Sequence, residues 1–60
     1  MKIIKQSGQY SLIKRDELNS SLNYYIDNGQ DVSEYFDKLE AQELNKLTNV
    51  AFEICAAMYF

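Results

Sequence analysis

The sequence predicts an α+β fold in which a short N-terminal β-hairpin precedes two or three α-helices. Three observations favour this class. Two β-favouring segments flank a Ser-Gly pair near the N-terminus, apolar residues recur at helical spacing from Leu18 onward, and residues 50–60 are apolar except for Glu53. Sixty residues suffice for one domain at most, so we expect residues 1–60 to form a single domain.

The hairpin is predicted over about residues 2–13. Residues 2–5 and 10–13 are rich in isoleucine, leucine and tyrosine, and Gly8 lies in the turn between them. Tyr10 and Leu12 alternate with a serine, which places their side chains on one face of the second strand. A two-stranded hairpin of this length needs another element to pack against.

A first helix is predicted over about residues 17–28. Asp16 can accept hydrogen bonds from the first amides of that helix, and the Asn28-Gly29 pair is typical of a helix C-terminus. Leu18, Leu22, Tyr25 and Ile26 would form its apolar face, a set at helical spacing.

The remaining chain predicts a second helix over about residues 32–39 and a third over about 41–58. Asp31 and Glu34 have the spacing of a capping box before the second helix. The apolar stripe then makes a five-residue step from Leu39 to Leu44, which favours a break near residues 39–41. One continuous helix over residues 32–58 stays open as an alternative.

The C-terminal helix is apolar on nearly every side, and such a helix must be buried on every side. A hairpin and one amphipathic helix offer too little surface to cover it. We therefore expect a homodimer in which the C-terminal helices of two subunits share a core. The residues expected at this dimer interface follow the spacing of a heptad seam and include the last two aromatic residues: Leu44, Leu47, Ala51, Ile54, Met58, Tyr59 and Phe60.

The composition argues against catalysis. The chain contains no histidine, which is the commonest general base, and no glycine-rich phosphate-binding loop. Its one cysteine, Cys55, lies inside the most apolar segment, so we expect a structural role for it. Without histidine or a second cysteine the usual zinc sites are excluded. We expect a protein that is not an enzyme and that uses neither a cofactor nor a metal.

Charge and hydropathy predict a cytoplasmic protein. No signal peptide is visible, and a helix over residues 50–60 would span about half the thickness of a bilayer. The net charge of −3 argues against nucleic acid as a partner. Residues 1–15 contain four of the six cations and no acid, whereas residues 16–60 contain all nine acids. This polarity is typical either of a basic edge strand or of a molecule whose acidic side contacts a basic partner.

A larger protein is the expected partner. Acids recur every three residues from Asp31 to Glu43, and on a helix this spacing traces either a solvated face or an acidic recognition surface. Three pairs of adjacent aromatic residues cannot each face one helical core, so we expect one member of a pair to contact a partner. The candidate partner interface consists of Tyr24, Glu34, Tyr35, Asp37 and Glu40.

In length, acidity and the opening residues Met1-Lys2-Ile3-Ile4-Lys5, the chain resembles the short proteins encoded by bacteriophages and other mobile elements. Anti-CRISPR-type and other anti-defence proteins belong to this class, and the small inhibitors of the Hachiman defence system are one candidate family. The resemblance implies a non-catalytic inhibitor that blocks a host defence protein by direct contact in the host cytoplasm.

An alternative function is DNA-binding regulation. A basic N-terminal strand followed by two helices resembles the ribbon-helix-helix repressors, and this resemblance implies that Lys2 and Lys5 contact DNA. The isoelectric point near 4.6 and the presence of a single arginine, Arg15, count against this alternative. Gly8 also favours a hairpin over a single ribbon strand.

Overall fold

The computed structural model describes residues 1–16, 18 and 21–60. It contains four strands followed by two helices: β1 (Lys2–Ser7), β2 (Tyr10–Lys14), β3 (Tyr24–Asp27), β4 (Val32–Phe36), α1 (Lys38–Lys46) and α2 (Asn49–Tyr59). The strands form one antiparallel sheet in the order β1-β2-β3-β4, so each strand pairs with its neighbour in sequence. The expected α+β class is confirmed.

Both helices pack on the same face of the sheet, and the hydrophobic core lies between the two layers. The sheet contributes Leu12, Ile26 and Phe36 to this core, one residue from each of β2, β3 and β4. The helices contribute small and large side chains from their inner faces: Ala41, Leu44, Phe52 and Ala56. Cys55 is a free, half-buried cysteine that packs against this cluster.

The predicted hairpin is confirmed as β1 and β2. Gly8 has a φ of +60° at the first position of a two-residue turn, where glycine avoids the steric cost of a Cβ atom. Ile4 is the extra residue of a β-bulge, because Ile3 pairs with Ile13 while Lys5 pairs with Leu12.

The helix predicted over residues 17–28 is wrong where the structure describes it, because residues 24–27 form β3. Residues 17, 19 and 20 lie outside the described part of the chain. The Asn28-Gly29 pair does not end a helix but lies in the β3–β4 turn, where the Asn28 side chain accepts hydrogen bonds from the amides of Gln30 and Asp31. Asp16 forms an ion pair with the N-terminal ammonium group of Met1.

The helix predicted over residues 32–39 is also wrong, because residues 32–36 form β4 and α1 begins at Lys38. The capping box is formed by Asp37 and Glu40 and not by Asp31 and Glu34. The Asp37 carboxylate accepts a hydrogen bond of 2.8 Å from the Glu40 amide, and Glu40 accepts one of 3.1 Å from the Asp37 amide.

The predicted helix over residues 41–58 corresponds to two helices, with the break at Leu47 and Thr48 and not near residues 39–41. Leu47 leaves the helical conformation with a ψ of 151°, and the Thr48 hydroxyl accepts a hydrogen bond from the Ala51 amide to begin α2. The alternative of one continuous helix over residues 32–58 is excluded.

Candidate interaction surfaces

The face of the sheet opposite the helices carries a row of apolar and aromatic side chains across all four strands. The strand register pairs Ile3 with Ile13, Ile13 with Tyr25, and Tyr25 with Tyr35. We call these four residues the open-face row. Among the residues described, no helix covers this face. Paired side chains of an antiparallel sheet lie side by side, so the row crosses the sheet. Its two ends, Ile3 and Tyr35, are exposed, whereas Tyr25 is half-buried and Ile13 is only 4% exposed.

Aromatic contacts order one end of the open-face row. The rings of Tyr25 and Tyr35 meet edge to face with their centroids 5.9 Å apart. The Arg15 guanidinium lies 4.5 Å from the centroid of the Tyr35 ring. Tyrosine and arginine are the residue types enriched at the centres of protein interfaces, and a pre-ordered pair loses little entropy on binding.

The second exposed apolar surface belongs to α2. Val50, Ile54 and Met58 recur every four residues and therefore lie on one side of the helix. Ile54 is 61% exposed and Met58 is 82% exposed, while Phe52 and Ala56 on the opposite side are fully buried. We call these three residues the outer face of α2. The helix is thus apolar on two sides, and the fold of one chain covers only one of them.

The residues predicted for the dimer interface do not form one seam. Leu44 is buried in the core, and Leu47 packs against it from the link between the helices. The two terminal aromatic rings pack within the chain, Tyr59 against Phe36 and Phe60 against Tyr10. Ala51 is half-buried. Of the predicted set, Ile54 and Met58 are the members exposed on the outer face of α2.

The residues predicted for the partner interface lie at separate places. Tyr24 packs against the core on the helix side of the sheet, whereas Tyr35 belongs to the open-face row. Glu34 is exposed on β4, an edge strand of the sheet. Asp37 and Glu40 lie together because they cap α1. The acidic ribbon expected on a helix does not form, since Asp31 lies in the β3–β4 turn and Glu34 in β4.

The open-face row follows from two of the adjacent aromatic pairs noted in the sequence. A strand directs successive side chains to opposite faces, so Tyr24 and Phe36 contact the core while Tyr25 and Tyr35 reach the open face. This alternation was the signal for two-sided strands. When the same pairs are placed on helices, they predict partner contacts but do not predict the open-face row.

The described part of the chain contains no group of three or more histidine, cysteine, aspartate or glutamate side chains arranged to hold a metal ion. None of the described helices is long and apolar enough to cross a membrane.

Comparison of the chain with protein-family models, with curated proteins and with solved structures found no match.

Proposed function

We propose that this chain is a non-catalytic binding protein that acts by covering part of a larger protein. The open-face row is the observation that carries the proposal. It is a strip of apolar and aromatic side chains on the side of the sheet that the helices leave uncovered, with Arg15 already stacked on Tyr35. Tyr35, an exposed member of the row, and Arg15 beside it are of the residue types enriched at protein interfaces.

The charge distribution of the chain supports a partner whose contact surface is basic. The chain has nine acids and six cations, and three of those cations, Lys2, Lys14 and Lys38, line one cleft on the helix side of the sheet. The rest of the molecule therefore contains nine acids and three cations. A surface with this excess attracts a positively charged partner and increases the rate of encounter.

The outer face of α2 supports a homodimer. A second copy of the chain presents the same apolar side chains, so a two-fold axis beside α2 would bury both sets at once. This arrangement leaves the open-face row of each subunit free for the target. The dimer interface of the proposal is centred on Ile54 and Met58 and excludes Leu44, which the core already buries.

The target class comes from the resemblance to phage-encoded inhibitors, and we propose a host defence protein in the bacterial cytoplasm.

The DNA-binding alternative has less support. The chain has four strands before its helices, whereas the resemblance to ribbon-helix-helix repressors requires a single strand followed by two helices.

Plaque formation on bacteria that carry single defence systems tests the proposal. The chain is expressed in strains carrying one system each, Hachiman and CRISPR systems among them, and phage plating is measured. We expect restored plating in the strain whose system is the target, and binding of the purified defence protein by titration calorimetry. Unchanged plating in every strain, together with no binding to the purified defence proteins, would refute the defence assignment.

Two tyrosine variants provide a matched pair for the binding surface. Tyr35 and Tyr59 are 44% and 46% exposed, and each makes one edge-to-face contact, with Tyr25 and Phe36 respectively. We expect Tyr35→Ala to weaken target binding by about 30-fold or more, as for an interface hot spot, and Tyr59→Ala to bind nearly as the wild type does. Equal target binding by both variants would exclude the open-face row as the target-binding surface.

A further inference from the structure

A cleft of about 410 Å³ lies between the ends of β1 and β2 and one side of α1. Its volume is within the range of about 300–1,000 Å³ that is typical of small-molecule sites. The polar side chains that line it are all hydrogen-bond donors or cations, and no carboxylate is among them: Lys2, Lys14, Tyr24, Lys38, Gln42 and Asn45. We call this site the basic cleft.

The fold places two of the three lysines, Lys2 and Lys14, directly opposite each other, and this pairing lowers the stability of the sheet. The bulge at Ile4 shifts the β1–β2 register so that Lys2 pairs directly with Lys14. Like charges directly opposite each other destabilise an antiparallel pair. Protection of an edge strand explains a lysine on β1, but Lys14 lies on the inner strand β2 and Lys38 on α1.

The three lysines have no carboxylate partner among the described residues, although the chain has an excess of acids. Elsewhere on the molecule, Lys46 contacts Glu43 at 3.6 Å and the N-terminal ammonium group contacts Asp16. The Lys14 ammonium group lies 5.9 Å from the centroid of the Tyr24 ring, a contact that holds the charge at the cleft without neutralising it. The basic cleft is thus a local concentration of positive charge on an acidic protein.

We propose that the basic cleft binds a compact polyanion that contains two or more adjacent phosphate groups. Lysine interacts with phosphate as a point charge, so three lysines around one cleft fit a ligand whose negative charges lie close together. Three ammonium groups balance the charge of a diphosphate ester and most of the charge of a triphosphate ester, and the amides of Gln42 and Asn45 supply further donors. Such phosphates occur in free nucleotides and, more widely spaced, in a nucleic acid backbone.

Titration calorimetry with inorganic tripolyphosphate at low ionic strength is the primary test. We expect saturable one-site binding that weakens as salt screens the lysines. Replacing Lys14 or Lys38 by glutamine removes a charged hydrogen-bond donor and should weaken binding by about tenfold or more. Lys46→Gln is the matched control, because it removes the same charge from α1 outside the cleft, and it should change the affinity less than twofold.

Backbone amide NMR spectra locate the bound phosphate. We expect shifts confined to residues around Lys2, Lys14 and Lys38, and spectra of the unbound variants that show the wild-type fold. A nucleoside triphosphate that binds more tightly than a single-stranded oligonucleotide assigns the phosphates to a free nucleotide, and the reverse order assigns them to a nucleic acid.

Three outcomes would overturn the proposal. One is the absence of binding by every phosphate probe at low salt. Another is equal weakening by Lys14→Gln and by Lys46→Gln, which would indicate nonspecific attraction. The third is tighter binding of a glutamate-rich peptide than of tripolyphosphate, which would make an acidic protein segment the ligand. None of these outcomes depends on whether the open-face row binds a defence protein.

Discussion

The Ile54→Asp variant tests the role of the outer face of α2 without changing the core that the same helix helps to form. Complete burial of an isoleucine side chain stabilises by about 1.5–3 kcal/mol, so covering the 61% of Ile54 that is exposed would contribute about 1–2 kcal/mol in each subunit. A two-fold dimer contains this residue twice. The loss of about 2–4 kcal/mol would weaken dimerisation about 30- to 1,000-fold, before any repulsion between the two carboxylates.

Folding of the single chain should hardly change in this variant. A substitution at an exposed position usually alters the free energy of unfolding by less than about 0.5 kcal/mol. Ala56→Asp on the same helix is the contrasting variant, because Ala56 is fully buried and an aspartate there would be a charge without a partner. The free energy of unfolding of a 60-residue chain is about 3–9 kcal/mol, so Ala56→Asp should abolish folding.

Light scattering on a sizing column and circular dichroism measure the two effects separately. At micromolar concentration we expect twice the 7.0 kDa chain mass for the wild type and one chain mass for folded Ile54→Asp. The melting temperature of the wild type should rise with protein concentration, and that of Ile54→Asp should not. A wild-type monomer, or an Ile54→Asp variant that stays dimeric, would refute the placement of the interface on α2.

Three further variants test the packing of one chain. Gly8→Ala should lower the free energy of unfolding by about 1–2 kcal/mol in urea titrations, because a φ of +60° is unfavourable for alanine, while the Glu53 carboxylate beside the turn can move away. Phe52→Ala removes the largest fully buried side chain and should cost about 3–5 kcal/mol, which leaves a substantial unfolded population by circular dichroism. Lys2→Gln should raise the melting temperature slightly, because the repulsion from Lys14 is worth up to about 1 kcal/mol; a lower melting temperature would contradict the unfavourable pairing.

The hairpin and the C-terminal helical region were predictable because each has a strong local signal. Gly8 marks a turn between two β-favouring segments, and the apolar spacing from Leu44 to Met58 indicates helix. The break inside that region was not visible in the spacing. Thr48 marks it as an N-cap, and a hydroxyl side chain at a helix start was the available signal.

The middle of the chain was predicted to be helical because its short apolar segments fit both the 3.6-residue period of a helix and the two-residue period of a strand. An Asn-Gly pair ends a helix or turns a hairpin, and only the pairing of β3 with β4 decides between the two. Two acid pairs have capping-box spacing. The pair at Asp37 and Glu40 is followed by good helix formers. The pair at Asp31 and Glu34 encloses a valine and is followed by tyrosine and phenylalanine, and all three favour strands.

The basic cleft was beyond sequence reasoning for a different reason. Lys38 is 24 positions from Lys14 in the chain, and their proximity depends on α1 packing across the sheet. The pairing of Lys2 with Lys14 depends on the bulge at Ile4, because a regular register from the same turn would place Ile3 opposite Lys14. Neither the packing nor the bulge has a reliable signature in a single sequence.

The positions of the surfaces determine how the proposed dimer would engage its target. The open-face row lies on one side of the sheet, and the outer face of α2 lies on the far side of the helical layer. Joining two copies through α2 therefore stacks the layers in the order sheet, helices, helices, sheet. The two open-face rows then point in opposite directions, so one dimer would bind two target molecules and could not clamp a single target between its subunits. A complex of two chains with two targets is therefore the stoichiometry that we expect of the proposed dimer.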